Sequence, residues 1–190
     1  MKAVSCVHGN LSVVDLPAPE PAHGQLVLDV ASCGICGSDL HAKGDADEVS
    51  RTTAEMGYHH FMRSDTPPVV MGHEFAGEVA ERGRKTPKAF KIGTRVVSFP
   101  LVRAHGGVHL TGLSPPLAPG GYAEQVLVQA AMTFAVPNGL SLDIASLTEP
   151  MAVALHAVRR SEITKRDTAI VIGCGPVGLG IICQLKTLGG

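Results

Sequence analysis

Cys33, Cys36, Asp39 and His41 stand in one unbroken segment, Cys33-Gly34-Ile35-Cys36-Gly37-Ser38-Asp39-Leu40-His41. Three chemistries compete for it. A Cys-x-x-Cys pair can cycle between dithiol and disulfide, which requires the first sulfur at the N-terminus of a helix that follows a strand. The same cysteines can be small buried residues in a turn. One of them can instead be a thiolate ligand to zinc. Gly34 and Gly37 on either side of Cys36, and the β-rich stretch before them, fit the redox pair poorly. Taken alone, the segment leaves the three readings close together.

A second segment separates them. Met71-Gly72-His73-Glu74-Phe75-Ala76-Gly77-Glu78 has the composition of a strand, yet His73 and Glu74 occupy places where a buried strand carries Val or Ile. An isolated His of this kind is ordinarily a hydrogen-bonded core residue. Paired with Cys36 and Asp39 it reads differently, because a ligating imidazole needs its other nitrogen held by a carboxylate or carbonyl. A thiolate, an imidazole and a carboxylate make a zinc set with room for an exogenous ligand.

A third pattern is Gly173-x-Gly175-x-x-Gly178, preceded by the apolar, β-branched run Thr168–Ile172 and followed by an apolar helical stretch to Leu188. Strand, glycines and helix in that order let backbone approach a pyrophosphate at a helix N-terminus. The residue that would choose between NAD and NADP is expected about 20 residues further on, past Gly190.

The elements that must position these residues change type along the chain. Lys2–Val7 and Leu11–Asp15 read as strands around a His8-Gly9-Asn10 turn, and Pro17, Pro19 and Pro21 forbid regular structure before Leu26–Val30 resumes as strand. Val69-Val70-Met71 leads toward a strand near 78–81, and further strands are expected at 95–99 and 122–128, a spacing that suggests a partly open barrel or sandwich. Residues 42–66 read as a long polar loop holding Tyr58-His59-His60-Phe61. After Pro137-Asn138-Gly139 the period becomes helical, with Ser141 opening a helix along Ile144, Leu147, Met151, Leu155 and Val158. Thr168–Ile172, apolar on both faces, is expected to be a parallel strand covered by helices. The division expected is residues 1–150 and 151–190.

Composition excludes several function classes. A formal net charge of −1 and the lack of any basic cluster beyond Glu81-Arg82-Gly83-Arg84-Lys85 give no footprint for nucleic acid. No apolar run approaches the ~20 residues that span a bilayer, and the N-terminus has no leader-like pattern. Five cysteines at irregular spacing do not read as a disulfide framework. A reduced, cytoplasmic protein is expected.

Four motifs in order, Cys33-Gly-Ile-Cys-Gly-Ser-Asp-Leu-His41, Gly72-His-Glu-Phe-Ala-Gly77, Gly120-Gly-Tyr-Ala-Glu124 and Gly173-Cys-Gly-Pro-Val-Gly178, resemble those of zinc-dependent medium-chain alcohol and polyol dehydrogenases. The resemblance spans nearly the whole chain, apart from 42–66 and 99–119. It implies a mainly β, then α/β fold: a GroES-like, partly open β-barrel catalytic domain followed by the first βα unit of a Rossmann domain. It implies an oxidoreductase moving a hydride between an alcohol or polyol, or the matching ketone, and NAD or NADP, with one catalytic zinc. Cys36 and His73 would be zinc ligands and Cys33 not. Asp39 would hold His73, while Ser38 would accept the alcohol proton and His41 pass it toward solvent. Leu147-Thr148-Glu149-Pro150 resembles the polyol and threonine branch, so Glu149 joins Glu74 as a candidate third ligand, and the choice stays open. Gly173, Gly175 and Gly178 would hold the cofactor pyrophosphate. The Ser98–Gly120 stretch lacks the four cysteines of a second, structural zinc, and His105 and His109 read as loop histidines. The resemblance also implies a longer, homo-oligomeric parent enzyme of which this chain is a fragment. Two rivals are a zinc-free quinone-reductase type of the same superfamily and a non-catalytic zinc-binding or oligomerisation module.

Overall fold

The computed structural model describes residues 1–137 and 139–189. Asn138 of the Pro137-Asn138-Gly139 turn, and Gly190, lie outside the described residues. The chain divides into two compact units, the first ending at Ser146 and the second beginning at Leu147.

In the first unit β1 (Lys2–Val7) and β2 (Asn10–Asp15) form an antiparallel hairpin around His8-Gly9, both at positive φ. After the prolines comes β3 (Gln25–Cys33), then α1 (Gly37–Gly44), α2 (Ala46–Glu55), β4 (Val69–Val70) and β5 (Phe75–Arg82). There follow β6 (Arg95–Ser98), β7 (Leu101–Ala104), β8 (Gly107–Leu110), β9 (Gln125–Gln129), β10 (Thr133–Ala135) and the short α3 (Leu142–Ala145). The strands pair antiparallel as a five-stranded sheet in the order β10-β6-β5-β3-β9, a three-stranded sheet β2-β1-β4 and the hairpin β7-β8.

Leu26, Leu28, Phe75, Val79, Val96, Val126 and Val128 close the core of the larger sheet. Each such aliphatic side chain taken fully out of water contributes ~1.5–3 kcal/mol. A second cluster, around Cys6, Ala42, Phe61, Met62, Val69, Met71 and Leu113, seats α1 and the segment after α2. This corrects the reading of 42–66 as a loop. Asp45 accepts the Glu48 N–H at 3.0 Å and caps α2, and Arg51 pairs with Glu48 and Glu55 along its exposed face. The Asp45-x-x-Glu48 spacing carried that signal. His109 is also not a loop residue: it lies in β8, buried, with Nε2 3.0 Å from the Ala104 carbonyl.

The helix expected through Ser141–Val158 is interrupted. Ser141 Oγ caps α3 by accepting the Ile144 N–H, and the Ser146 hydroxyl turns back to Asp143 O at 2.7 Å. A new helix, α4 (Thr148–Arg160), then begins in the second unit, with Pro150 in its first turn, where a missing N–H costs nothing. α5 (Pro176–Gly189) packs on α4 at Gly180, where a Cβ would fall 2.9 Å from Ala154 Cβ and 3.2 Å from Met151 Sδ. Thr168–Ile172 is not a strand, contrary to expectation. A strand exists by pairing, no described strand pairs with this run, and Ile170 and Ile172 are 86% and 96% exposed. No helix among the described residues is long and apolar enough to cross a membrane.

Candidate metal centre

β3 and β5 are antiparallel neighbours, and Cys33, the last residue of β3, is paired with Phe75, the first of β5. Residues just past one strand therefore meet residues just ahead of the other. That is how Cys36 and the pair His73-Glu74, far apart in sequence, come together. One ligand atom from each of Cys36, His73 and Glu74 lies within 4.8 Å of the others, and no other group of three potential ligands forms among the described residues.

The loop-to-helix junction fixes Cys36. It is the N-cap of α1, its N–H donates to Asp39 Oδ2 at 3.0 Å, and the Asp39 N–H donates back to Cys36 O at 3.1 Å. Asp39 is 1% exposed. Its Oδ2 also accepts the Tyr122 hydroxyl at 2.9 Å, while Oδ1 lies 3.5 Å from His73 Nδ1. Those last two atoms are buried and have no aligned hydrogen-bond partner, so theirs is a charge contact at the edge of hydrogen-bond reach. On the other side of the ring, His73 Nε2 lies 3.5 Å from Ser38 Oγ. The ring thus turns Nδ1 to a carboxylate and Nε2 toward the serine.

The electrostatics follow from this packing. Burial opposes the imidazolium of His73, but contact with Asp39 and Cys36 outweighs it and raises the pKa to about 10. The Cys36 thiol is lowered: the His73 ring has the largest effect, burial opposes it, and hydrogen bonds from Ser38 lower it further. Burial pushes the Asp39 carboxyl up, but His73, the Cys36 N–H and Tyr122 together hold it below the usual carboxylate value. Cys33 behaves in the opposite way: burial, then the charge of Asp39, drives its thiol up to about 12. It remains a thiol, donating to Gly34 O at 3.6 Å. All five cysteines are free.

These observations fit zinc. An acidified thiol, an imidazole with its outer nitrogen toward a carboxylate, and a buried glutamate form a mixed soft and hard donor set.

The other expected residues are not part of this group of three. Ser38 is beside the cluster, whereas His41 is exposed one turn along α1 and its ring makes no hydrogen bond among the described residues. Glu149 belongs to the second unit, in the first turn of α4, where the helix dipole favours a carboxylate. Gly173 adopts φ +97°, Gly178 sits against the Gly173 carbonyl so closely that no side chain fits, and Gly175 precedes the start of α5. Tyr122, within the Gly120–Glu124 motif, joins the site although no local sequence pattern gives it a role. Its neighbours explain its place: Gly120 N–H, Gly121 N–H and Tyr122 N–H donate to Val70, Gly72 and Met71 carbonyls, and Val4 N–H donates to Tyr122 O.

Comparison with known proteins bears on this geometry. The sequence model described as "Alcohol dehydrogenase GroES-like domain" matches residues 22–138. The (R,R)-butanediol dehydrogenase of Bacillus subtilis strain 168 is 38% identical over 183 residues, 93% of this chain and 51% of that protein. A crystal structure of 2R,3R-butanediol dehydrogenase from Bacillus subtilis superimposes with a TM-score of 0.79 at 36% identity, covering 99% of this chain and 55% of that one. A zinc-binding dehydrogenase from Sinorhizobium meliloti 1021, described as putative and solved bound to NADP, gives 0.80 at 30% identity, covering 99% and 53%. The chain spans about half the length of the curated relatives it matches.

Proposed function

Because this chain belongs to the family of medium-chain alcohol and polyol dehydrogenases, we propose that it forms the zinc-binding part of an enzyme transferring a hydride between a vicinal diol or related polyol and NAD(P). The observation that carries the reading is the convergence of Cys36, His73 and Glu74 on one point, with Asp39 behind the imidazole. Cys36, His73 and one of Glu74 or Glu149 hold the ion. When bound, zinc supplies Lewis acidity that eases loss of a proton from an alcohol, and NAD(P) supplies the hydride acceptor.

The chain's own residues do the rest. Asp39 keeps the proton of His73 on Nδ1 and so leaves Nε2 free as a donor. Ser38, at the edge of the cluster, takes the proton from the substrate hydroxyl and hands it outward, with exposed His41 on the same helix as the receiving base. A hard carboxylate beside a thiolate leaves room for a second substrate oxygen, which suits a diol. Similar proteins of Bacillus subtilis and Saccharomyces cerevisiae both carry the name (R,R)-butanediol dehydrogenase. Gly173, Gly175 and Gly178 line the approach for the pyrophosphate at the start of α5. The working enzyme is a homo-oligomer of the cytoplasm.

Elemental analysis of the purified chain tests the metal half of this reading, and one zinc per chain is expected. A chain that takes up no zinc when it is supplied overturns it. For the activity, the assay is reduction of NAD or NADP with 2,3-butanediol, or oxidation of NADH or NADPH with ketones, by the complete enzyme of which this chain would be part, and a response to neither cofactor across diols, polyols and ketones would refute the enzymatic half.

A further inference from the structure

The Tyr122 hydroxyl touches two residues of the segment that carries Cys36, Gly34 after β3 and Asp39 in α1. It lies 2.9 Å from Asp39 Oδ2 and 3.1 Å from the Gly34 carbonyl. Asp39 faces His73 Nδ1, and Gly34 N–H donates to the Glu74 carbonyl at 2.7 Å. One phenolic oxygen is therefore a single step from the residues that hold two of the three ligands.

A phenol has one proton to donate. Both of its neighbours here are acceptors, and the charged one is closer, so the proton goes to Asp39 in a charge-assisted bond. That bond and the Cys36 N–H together occupy Oδ2. Oδ1 is left buried and without an aligned partner, facing the equally unpartnered His73 Nδ1. Without the phenol, the carboxylate could rotate and share its oxygens differently.

The ring holds the hydroxyl at this spot. Its Cδ1 and Cε1 fill the place where a Cβ on Gly72 would be, 2.6 and 2.8 Å from that point, and Gly72 has φ +93°. The backbone of Tyr122 is tied to Met71 and Val4. The phenol is also kept protonated, since burial and then the charge of Asp39 push its pKa upward.

We infer that Tyr122 is a positioning residue for metal binding: through Asp39 it fixes the orientation and tautomer of His73. It acts through other residues and touches no ligand atom. The inference rests on the zinc reading above.

The test is zinc affinity of the whole chain, by competition with a chromophoric chelator, for the unaltered protein, Tyr122→Phe, Asp39→Asn and the double variant. Tyr122→Phe should keep its circular dichroism spectrum and bind zinc about 10- to 100-fold more weakly. The double variant should bind no more weakly than Asp39→Asn alone, because the hydroxyl works through that carboxylate. The visible spectrum of the cobalt(II)-loaded chain should change in Tyr122→Phe, a signature that loosened packing elsewhere would not give. Unchanged affinity, or losses that simply multiply, overturns the role of Tyr122 while leaving the zinc site intact. An unaltered chain that binds no zinc overturns both. Should Tyr122→Phe fail to fold, fluorotyrosine incorporated into the Tyr58→Phe chain reports residue 122 alone, since the sequence has two tyrosines. Its fluorine resonance should shift on adding zinc and lose that shift in Asp39→Asn; a resonance indifferent to zinc overturns the inference.

Discussion

Gly34 and Glu74 are joined twice: the Gly34 N–H donates to the Glu74 carbonyl at 2.7 Å, and the space a side chain on Gly34 would take is filled by Glu74 Oε2. The carboxylate therefore lies over bare backbone. Gly34 does not need positive φ; its lack of a Cβ is what lets Glu74 reach toward Cys36 and His73.

Gly34→Ala should accordingly push the Glu74 carboxylate aside and weaken zinc about 10-fold while leaving the sheet folded. Chelator competition gives the affinity and thermal melting the fold. Wild-type affinity in the alanine variant would place Glu74 outside the ligand set.

Cys33 and Cys36 should respond oppositely to substitution. Cys33 is a thiol held up to about 12, so Cys33→Ser should retain zinc. Cys36→Ser should lose it. Equal loss from both would indicate a two-thiolate site.

Zinc binding should strengthen with pH. His73, raised to about 10 in the metal-free chain, must release its proton before Nε2 can ligate. Below that pKa, affinity should rise by about tenfold per pH unit from this residue alone. The sign for stability is the reverse. A pKa raised on folding stabilises the metal-free chain fully below the unfolded value of about 6.5, and this is lost as pH rises through about 10. Zinc-loaded protein should not show that loss. Affinities measured at pH 6, 7 and 8 check the slope, and a flat profile would count against His73 as a ligand.

Glu74→Ala and Glu149→Ala should each leave part of the zinc bound, if two carboxylates can exchange at one position, while the double variant should lose it. Metal analysis after gel filtration decides between outcomes. Full zinc retention by the double variant would remove both glutamates from the ligand set.

Much of this was readable in the sequence, for identifiable reasons. His73 and Glu74 stand out because they interrupt a segment that otherwise has the makings of a strand, whereas Cys36 is singled out only in combination with them. The hairpin at His8-Gly9 and the strand after the prolines were marked by turn residues and alternation. Helix α2 was missed because its apolar face is thin, and its signal lay in the Asp45–Glu48 cap rather than in periodicity. The Thr168–Ile172 strand was overread, since composition reports what a segment favours and not whether a neighbour is present to pair with it. Tyr122 was seen only as part of a motif, because a role that runs through a hydroxyl–carboxylate bond between residues 83 apart leaves no local pattern.

Gly72, Gly112 and Gly120 stack backbone against backbone: a Cβ on Gly112 would fall 2.7 to 3.0 Å from the main chain of Gly72, and one on Gly120 would meet Met71, Gly72 and Gly112. Gly112 and Gly120 cannot acquire a side chain unless the Gly72 main chain moves, and a side chain on Gly72 would displace the Tyr122 ring and Cys33, so this corner resists stepwise change. Libraries aimed at new substrates would waste their diversity there, and variation would be better spent where backbones are farther apart.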